Sequence, residues 1–524
     1  MINWEKQLPK TVKIILLFAV FEFESFALTT LASGDVYRSS HGATYFVAVT
    51  GDDSAPGTIN RPWATINHAA KVVQAGDMVV VRGGQYMLSA QVRPYHSGRS
   101  GAWITFVGYP GEKPILDAER LPHAMLAPRG LDNGAFQIED VSHIRVANLT
   151  IINSHDAGFT VRDSTDIELI NNSTEGTYSS GIAVWDTDHD GKGTERIRII
   201  GNTITKATTW NLFSQDIPKP DEPPHEALSI GGAIEFEVAY NHIYDSDKEG
   251  IDIKETSKRG KVHHNYVHHV EGQGIYIDAA FGSINEIDVF SNVIHNCGAG
   301  VIISVEGGQL AEKISVRNNL IFNNKGSGLY FSPYGLNGAR RKIKISNNIF
   351  YHNGHGQPKA GQTYYWMPGG LYLYSTNVHD ISVLNNIFSH NSGFQIGYSE
   401  LFMNKHRSWR SAALRQKIRV KGNLVHGQNA VEAPIISGGN PPFRVKVYAI
   451  NGGRAILANP FFGDSANENF VPRPISPRLV SSITNAIYGA RSSQPWWKHN
   501  FPPMVVQTCN QSNLGDGSIC FKYP

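Results

Sequence analysis

Nine times along the chain two alternating apolar residues are followed, three positions after the second, by an asparagine, as in IELINN ending at Asn172 and IRIIGN ending at Asn202. The register recurs at Asn241, Asn265, Asn292, Asn319, Asn348, Asn386 and Asn423, with Gly260 in the first apolar slot of the Asn265 copy. The steps run from 24 to 39 residues. Strands at such a period with no helices between them predict a stacked solenoid, here a parallel β-helix, in which each coil contacts its neighbours. An inward-turned asparagine suits that stack, because its amide donates and accepts at once along the axis.

A second column follows each asparagine turn: GIAVW from Gly181, ALSIG from Ala227, GIDIK from Gly250, GIYID from Gly274, GVIIS from Gly300, GLYFS from Gly328 and GLYLY from Gly370. Strand side chains alternate between faces, so Ile251, Ile253, Ile275, Ile277, Val301, Ile303, Leu329 and Phe331 are expected to fill the coil. The alternate set, Trp185, Asp252, Lys254, Tyr276, Asp278, Ser304, Tyr330, Ser332, Tyr372 and Tyr374, is then expected to face solvent.

A formal net charge of +2 on 524 residues offers no field for a phosphate backbone, so nucleic acid is not an expected partner. The apolar run Val12–Phe21 behind Lys6, Lys10 and Lys13 reads as an export signal ending near Ala27 or Ala32, placing the mature chain in the periplasm or outside the cell, without membrane insertion. The expected division is a signal over residues 1–32, a cap and first coils over 43–110, a β-helix core over 111–430 and terminal coils and tail over 431–524. Cys509 and Cys520 flank a short loop that a disulfide could close, whereas Cys297 reads as a small buried hydrophobe.

From Tyr45 the pattern is strand, turn, amphipathic helix, strand, with Ala69, Ala70, Val72 and Val73 expected to plug the open end of the solenoid. This opening, TGDDSAPGT…PWATI…AGDMVVVRGGQY, and the late segment NPFFGDSANENFVPRPISP resemble the ends of secreted right-handed parallel β-helix proteins of the pectate-lyase-like superfamily. The resemblance spans about residues 43 to 480 and implies an all-β fold: a right-handed parallel β-helix with an N-terminal capping helix and long loops on one face. Three long steps between asparagines supply the loops, two of which bring Trp210, Tyr364, Tyr365 and Trp366 to the second column as expected groove walls.

Acidic residues crowd between His225 and Glu306: Glu226, Asp245, Asp252, Glu255, Asp278 and Glu306, with Lys254 among them. Coils stack about 4.8 Å apart and residues two apart on a strand differ by roughly 6.6 Å, so Asp252 and Asp278 should lie about 8 Å apart on a diagonal. Inverting glycosidases separate their carboxyl groups by about 6.5 to 9.5 Å and retaining ones by about 5 to 5.5 Å, and backbone spacing does not choose between them. Crowding also makes one carboxyl keep its proton, supplying an acid beside an ionised base.

DSDKEGIDIKE…GIYIDA…SVEGG is similar to the core of β-helix glycoside hydrolases of the lacto-N-biosidase type, which implies a catalytic pair of aspartates seven residues apart, matched by Asp245 and Asp252. A likeness to β-helix xylosidases implies instead an aspartate and a later glutamate, as in Asp278 and Glu306. Both pairings stay open. The expected activity is glycoside hydrolysis of an oligo- or polysaccharide needing no cofactor, with Glu226, Lys254, Glu255, Trp185, Tyr276, Tyr330, Tyr372 and Trp366 binding substrate.

The alternative is a lyase in which Asp252, Glu255 and Asp278 hold Ca²⁺ against a uronate while Lys254 removes the C5 proton, and a non-catalytic glycan-binding solenoid is a third reading. Asp186, Asp188 and Asp190 alternate before Gly191 like the start of a calcium loop, but Ile197 stands where that loop's last ligand belongs. His263 and His264 are expected on opposite sides of a strand with no orienting carboxylate, which is no zinc pattern.

Overall fold

The computed structural model describes residues 42–122, 133–209, 225–358, 360, 364–400 and 408–429, with short stretches between 435 and 522. Its main unit spans Ser39–Pro503. A separate small unit carries the antiparallel hairpin of Val505–Thr508 with Ile519–Lys522.

Successive coils of the main unit contribute short strands to three sheets, of 13, 12 and 11 strands. One such coil runs Glu195–Ile200, Thr203–Thr205 and Leu228–Gly231. Every strand pairs in parallel with its counterpart one coil away, as Ile199 with Val238 and Ile253 with Ile277. The 11-stranded sheet ends differently, where Val447–Ala449 pairs antiparallel with Ile396–Ser399.

The expected interior residues fill the coils. Ile251, Ile253, Ile275, Ile277, Val301, Ile303, Leu329 and Phe331 are all buried in one continuous core. Asparagines hold the corner between the 13- and 12-stranded sheets. Asn202 Oδ1 accepts both the backbone N–H of Asn172 (2.9 Å) and its Nδ2 (3.2 Å), while Asn172 Nδ2 also donates to Val146 O (2.9 Å). The same contacts repeat coil by coil to Asn423, so the buried turn amides are satisfied along the axis. Sharp bending at this corner puts the preceding residue in the left-handed region, at φ 52° for Asn171, 57° for Tyr240 and 52° for His264.

A second asparagine ladder, five residues after the first, turns the next corner through Asn324, Asn353 and Asn391. Cys297 starts it by donating its N–H to Asn324 Oδ1 (3.0 Å), and burial pushes its thiol up to about 12. The capping helix is Ile66–Val72, N-capped by Thr65, whose hydroxyl accepts from His68 N (3.1 Å). Ile66, Ala69, Ala70 and Val73 face the coil, but Val72 points to solvent, one helical step from the buried stripe.

Candidate active site

Two columns cross the outer face of the 11-stranded sheet. The strand register aligns Ser229, Asp252, Tyr276, Ile302, Tyr330 and Tyr372 in one, and Trp185, Gly231, Lys254, Asp278 and Ser304 in the other. Asp252 thus faces Tyr276, Lys254 faces Asp278, and Asp252 and Asp278 stand on the expected diagonal.

The expectation that these columns face solvent is corrected. Asp252 is 2% exposed, Tyr330 0% and Tyr372 2%. The reason is a second apolar layer outside the coil: Met367, Phe394 and Val447, with Trp366 and Tyr334 beside them, pack over Tyr276, Ile302, Tyr330, Tyr372 and Tyr374. The Tyr372 and Tyr374 rings stack on each other at 5.2 Å, and Trp366 meets Tyr330 edge-on at 6.2 Å. Tyr330 and Tyr372 therefore pack against protein and offer no open stacking face, whereas Trp366 is only partly buried. Trp210 lies outside the described residues, as do residues 1–32 and Cys509.

The polar half of the face is an ionic cluster. Lys254 Nζ lies 2.7 Å from Glu226 Oε2 and 3.1 Å from Asp252 Oδ2, and 5.7 Å above the Trp185 ring. Glycine at 231 makes this possible, since a Cβ there would meet the Trp185 ring at 2.3 Å. Ser229 Oγ donates to the same Glu226 oxygen (2.7 Å). Burial opposes charge on all three ionic groups, but the carboxylates beside Lys254 hold its ammonium well above the ordinary lysine range. Burial also raises the Glu226 carboxyl, yet the charges of Lys254, His225 and Lys248 prevail and bring it to about 2. Asp252, with the longer contact and with Oδ1 lacking a hydrogen-bond partner, is the member that burial pushes well above the ordinary aspartate range.

One coil further, Asp278 Oδ1 accepts the Glu306 backbone N–H (3.3 Å), and the Tyr276 hydroxyl donates to Glu306 Oε1. Burial and then the neighbouring Glu306 charge push Asp278 up to about 7. Tyr276 is held well above its ordinary range, chiefly by burial, so it stays a donor. Glu306 itself is partly exposed and opens this end of the cluster to solvent. Burial similarly raises Glu255 and Glu249 to about 7.

Asp245 does not join this group. It sits on His242–Ser246 of the 12-stranded sheet, in the left-handed conformation at φ 53°, and lines a separate open concavity with Asp247, His269, Glu271 and Lys325. The seven-residue spacing that pairs it with Asp252 crosses a sheet corner, so the two side chains emerge on different faces.

Asp186, Asp188 and Asp190 do converge, with one carboxylate oxygen from each within 4.8 Å of the others, and among the described residues they are the one such group. Asp186 Oδ2 accepts Gly191 N–H (2.6 Å) and Asp190 already pairs with Lys192 (2.7 Å). His263 departs from expectation: the left-handed turn at His264 brings their Nδ1 atoms to 2.9 Å, and Glu237 does orient His263 Nε2 at 3.0 Å.

Arg340, which carries no motif, is a component that sequence reading missed. Fully buried, it donates to the carbonyls of Ile303 (3.2 Å), Gly338 (2.8 Å) and Ser332 (2.5 Å), fixing the loop whose Leu336 N–H reaches the Glu306 carbonyl.

The family model described as a right handed beta helix region matches residues 134–312 and 307–405. The chain belongs to that family. A Pel9A-like right handed beta helix region also matches, over residues 45–216. Among curated proteins, this right-handed β-helix is 25% identical over 345 residues to the uncharacterized protein YwoF of Bacillus subtilis strain 168, covering 60% of this chain and 69% of that one. It is 24% identical over 284 residues to the pectate lyase PEL9 of Emericella nidulans, covering 49% and 66%. The alignments thus span about two thirds of each relative. Among solved structures, the lacto-N-biosidase of Eubacterium ramulus aligns with 14% identity and a TM-score of 0.34, covering 65% of this chain and 68% of that one.

Proposed function

We propose that this protein is a glycoside hydrolase in which Asp278 and Glu306 are the catalytic pair. The observation that carries the reading is the difference between the two carboxyls: Asp278 is buried and pushed up to about 7, while Glu306, one coil away, is partly exposed and receives the Tyr276 hydroxyl. A carboxyl that keeps its proton near neutrality can protonate the departing glycosidic oxygen. Glu306, oriented by Tyr276, is the partner that meets the developing positive charge at the anomeric carbon, as nucleophile or through a water.

Lys254, whose charge Glu226 offsets, stands beside Asp278 one coil away and fixes the polar floor next to the pair. The lyase alternative asks Lys254 to accept a proton. An ammonium between two carboxyls and held well above the ordinary lysine range is a poor base, which favours hydrolysis.

The products test the proposal. Hydrolysis releases a saturated reducing end and needs no metal for acid–base work, so activity should persist in chelator. Products with a C4–C5 double bond absorbing in the near ultraviolet, formed only with Ca²⁺, would establish the lyase instead. Glycan binding without any product would leave a binding solenoid.

A further inference from the structure

The outer face of the 13-stranded sheet, away from the acidic cluster, carries one residue per coil in strict register: Arg145, Glu168, Arg198, Glu237, Lys261, Asp288, Ser315, Lys344, Ser382 and Arg419. Charge alternates through the first six. Arg145 pairs with Glu168 (2.6 Å), and Arg198 bridges Glu168 (3.0 Å) and Glu237 (3.1 Å). After Asp288 the acids give way to serines while the cations remain. Lys344 and Arg419 have no carboxylate within ion-pair distance among the described residues.

The neighbouring columns change in the same place. At the left-handed corner, Asp166 pairs with Arg196 (2.8 Å), Glu235 with Arg259 (3.0 Å) and Glu286 with Lys313 (2.8 Å), while the last three coils bring Lys342, which reaches Glu312 at 3.4 Å, then Asp380 and Lys417, the latter without an ion-pair partner among the described residues. Lys421 extends the final strand, exposed like Lys342, Lys344, Lys417 and Arg419. Nothing in the solenoid demands this excess, because earlier coils of the same sheet place an acid between cations two rungs apart, as Glu168 between Arg145 and Arg198.

We propose that the last three coils of this face bind a linear anionic polysaccharide bearing carboxylate or sulfate groups. Lys344 and Arg419 are two rungs apart, about 9.6 Å along the axis, and Lys417 and Lys421 flank Arg419 on the same side of its strand, so the cations form a row that a straight charged glycan can follow. Ser382 lies between Lys344 and Arg419 and supplies a hydroxyl for the sugar's own hydroxyls.

Titration with heparin and with polygalacturonate by calorimetry, at several salt concentrations, tests the site and separates sulfate from carboxylate ligands. Binding should weaken steeply with salt, and Lys344→Gln with Arg419→Gln should reduce the slope of log K against log salt by about one to two, the number of cations removed. Ser382→Asp restores the alternation of the earlier coils; it should leave the melting temperature unchanged or higher while weakening the glycan at least about tenfold. Undiminished binding by Ser382→Asp, no binding of either glycan at low salt, or tighter binding of duplex DNA or of anionic phospholipid vesicles at the same salt would each overturn the proposal.

Discussion

Lys254 stands between Glu226, at 2.7 Å, and Asp252, at 3.1 Å; both carboxyls are buried and the lysine side chain is only 12% exposed. A buried ionic group of this kind is expensive to break, because removing one member strands the charge of another.

Lys254→Met should therefore destabilise the fold by about 3–5 kcal/mol, read from urea unfolding, by leaving Glu226 buried without its cation. Glu226→Gln in the same background should recover part of the loss. A Lys254→Met protein as stable as the parent would mean that water reaches the cluster.

Stability should depend on pH through the raised carboxyls. Asp278, Glu249 and Glu255 sit at about 7 in the folded chain against ordinary values of 3.8 and 4.5, so the folded state holds more protons between these limits. Their contribution is complete below the ordinary values and is lost as pH rises through about 7. Glu226, brought down to about 2, has the opposite sign, its contribution being lost as pH falls from 4.5 towards 2. The melting temperature should thus decline from mildly acidic to neutral pH, and Asp278→Asn should flatten part of that decline.

The same Asp278→Asn substitution should lower kcat by about a hundredfold or more on an identified substrate, with the β-helix fold retained by circular dichroism. In the parent, the rate should fall above about pH 7 as Asp278 loses its proton. Near-normal turnover in Asp278→Asn would remove it from the mechanism.

Tyr330 separates packing from substrate stacking. With its ring enclosed by Tyr372, Tyr374 and Trp366, Tyr330→Ala should cost about 3–5 kcal/mol, comparable with a large core truncation and with the 2–5 kcal/mol expected for Ile277→Ala. Weakened substrate binding with unchanged stability would return Tyr330 to the role of a sugar platform.

Asn319→Ala removes an acceptor for both the Asn292 backbone N–H (2.9 Å) and its Nδ2 (3.0 Å) inside the ladder. Asn292 Nδ2 keeps its bond to Val262 O (2.9 Å), but leaving the Asn292 backbone N–H buried and unpaired should cost about 1–3 kcal/mol, measured by thermal unfolding.

The coil was legible in the sequence because its two determinants are local and repeated. Apolar residues at period two must point inward, and an asparagine at fixed phase must turn the corner, so each coil reports the same rule independently of its neighbours. The diagonal of Asp252 and Asp278 followed from that register alone. Burial of the second column did not, because its cover comes from Met367, Phe394 and Val447, residues far along the chain whose packing no strand period encodes. For the same reason Asp245 and Asp252, close in sequence, part at a corner, while Glu306 joins Tyr276 across 30 residues. Sequence determined which residues each coil presents; tertiary packing decided which of them meet water, and with it which carboxyls keep a proton.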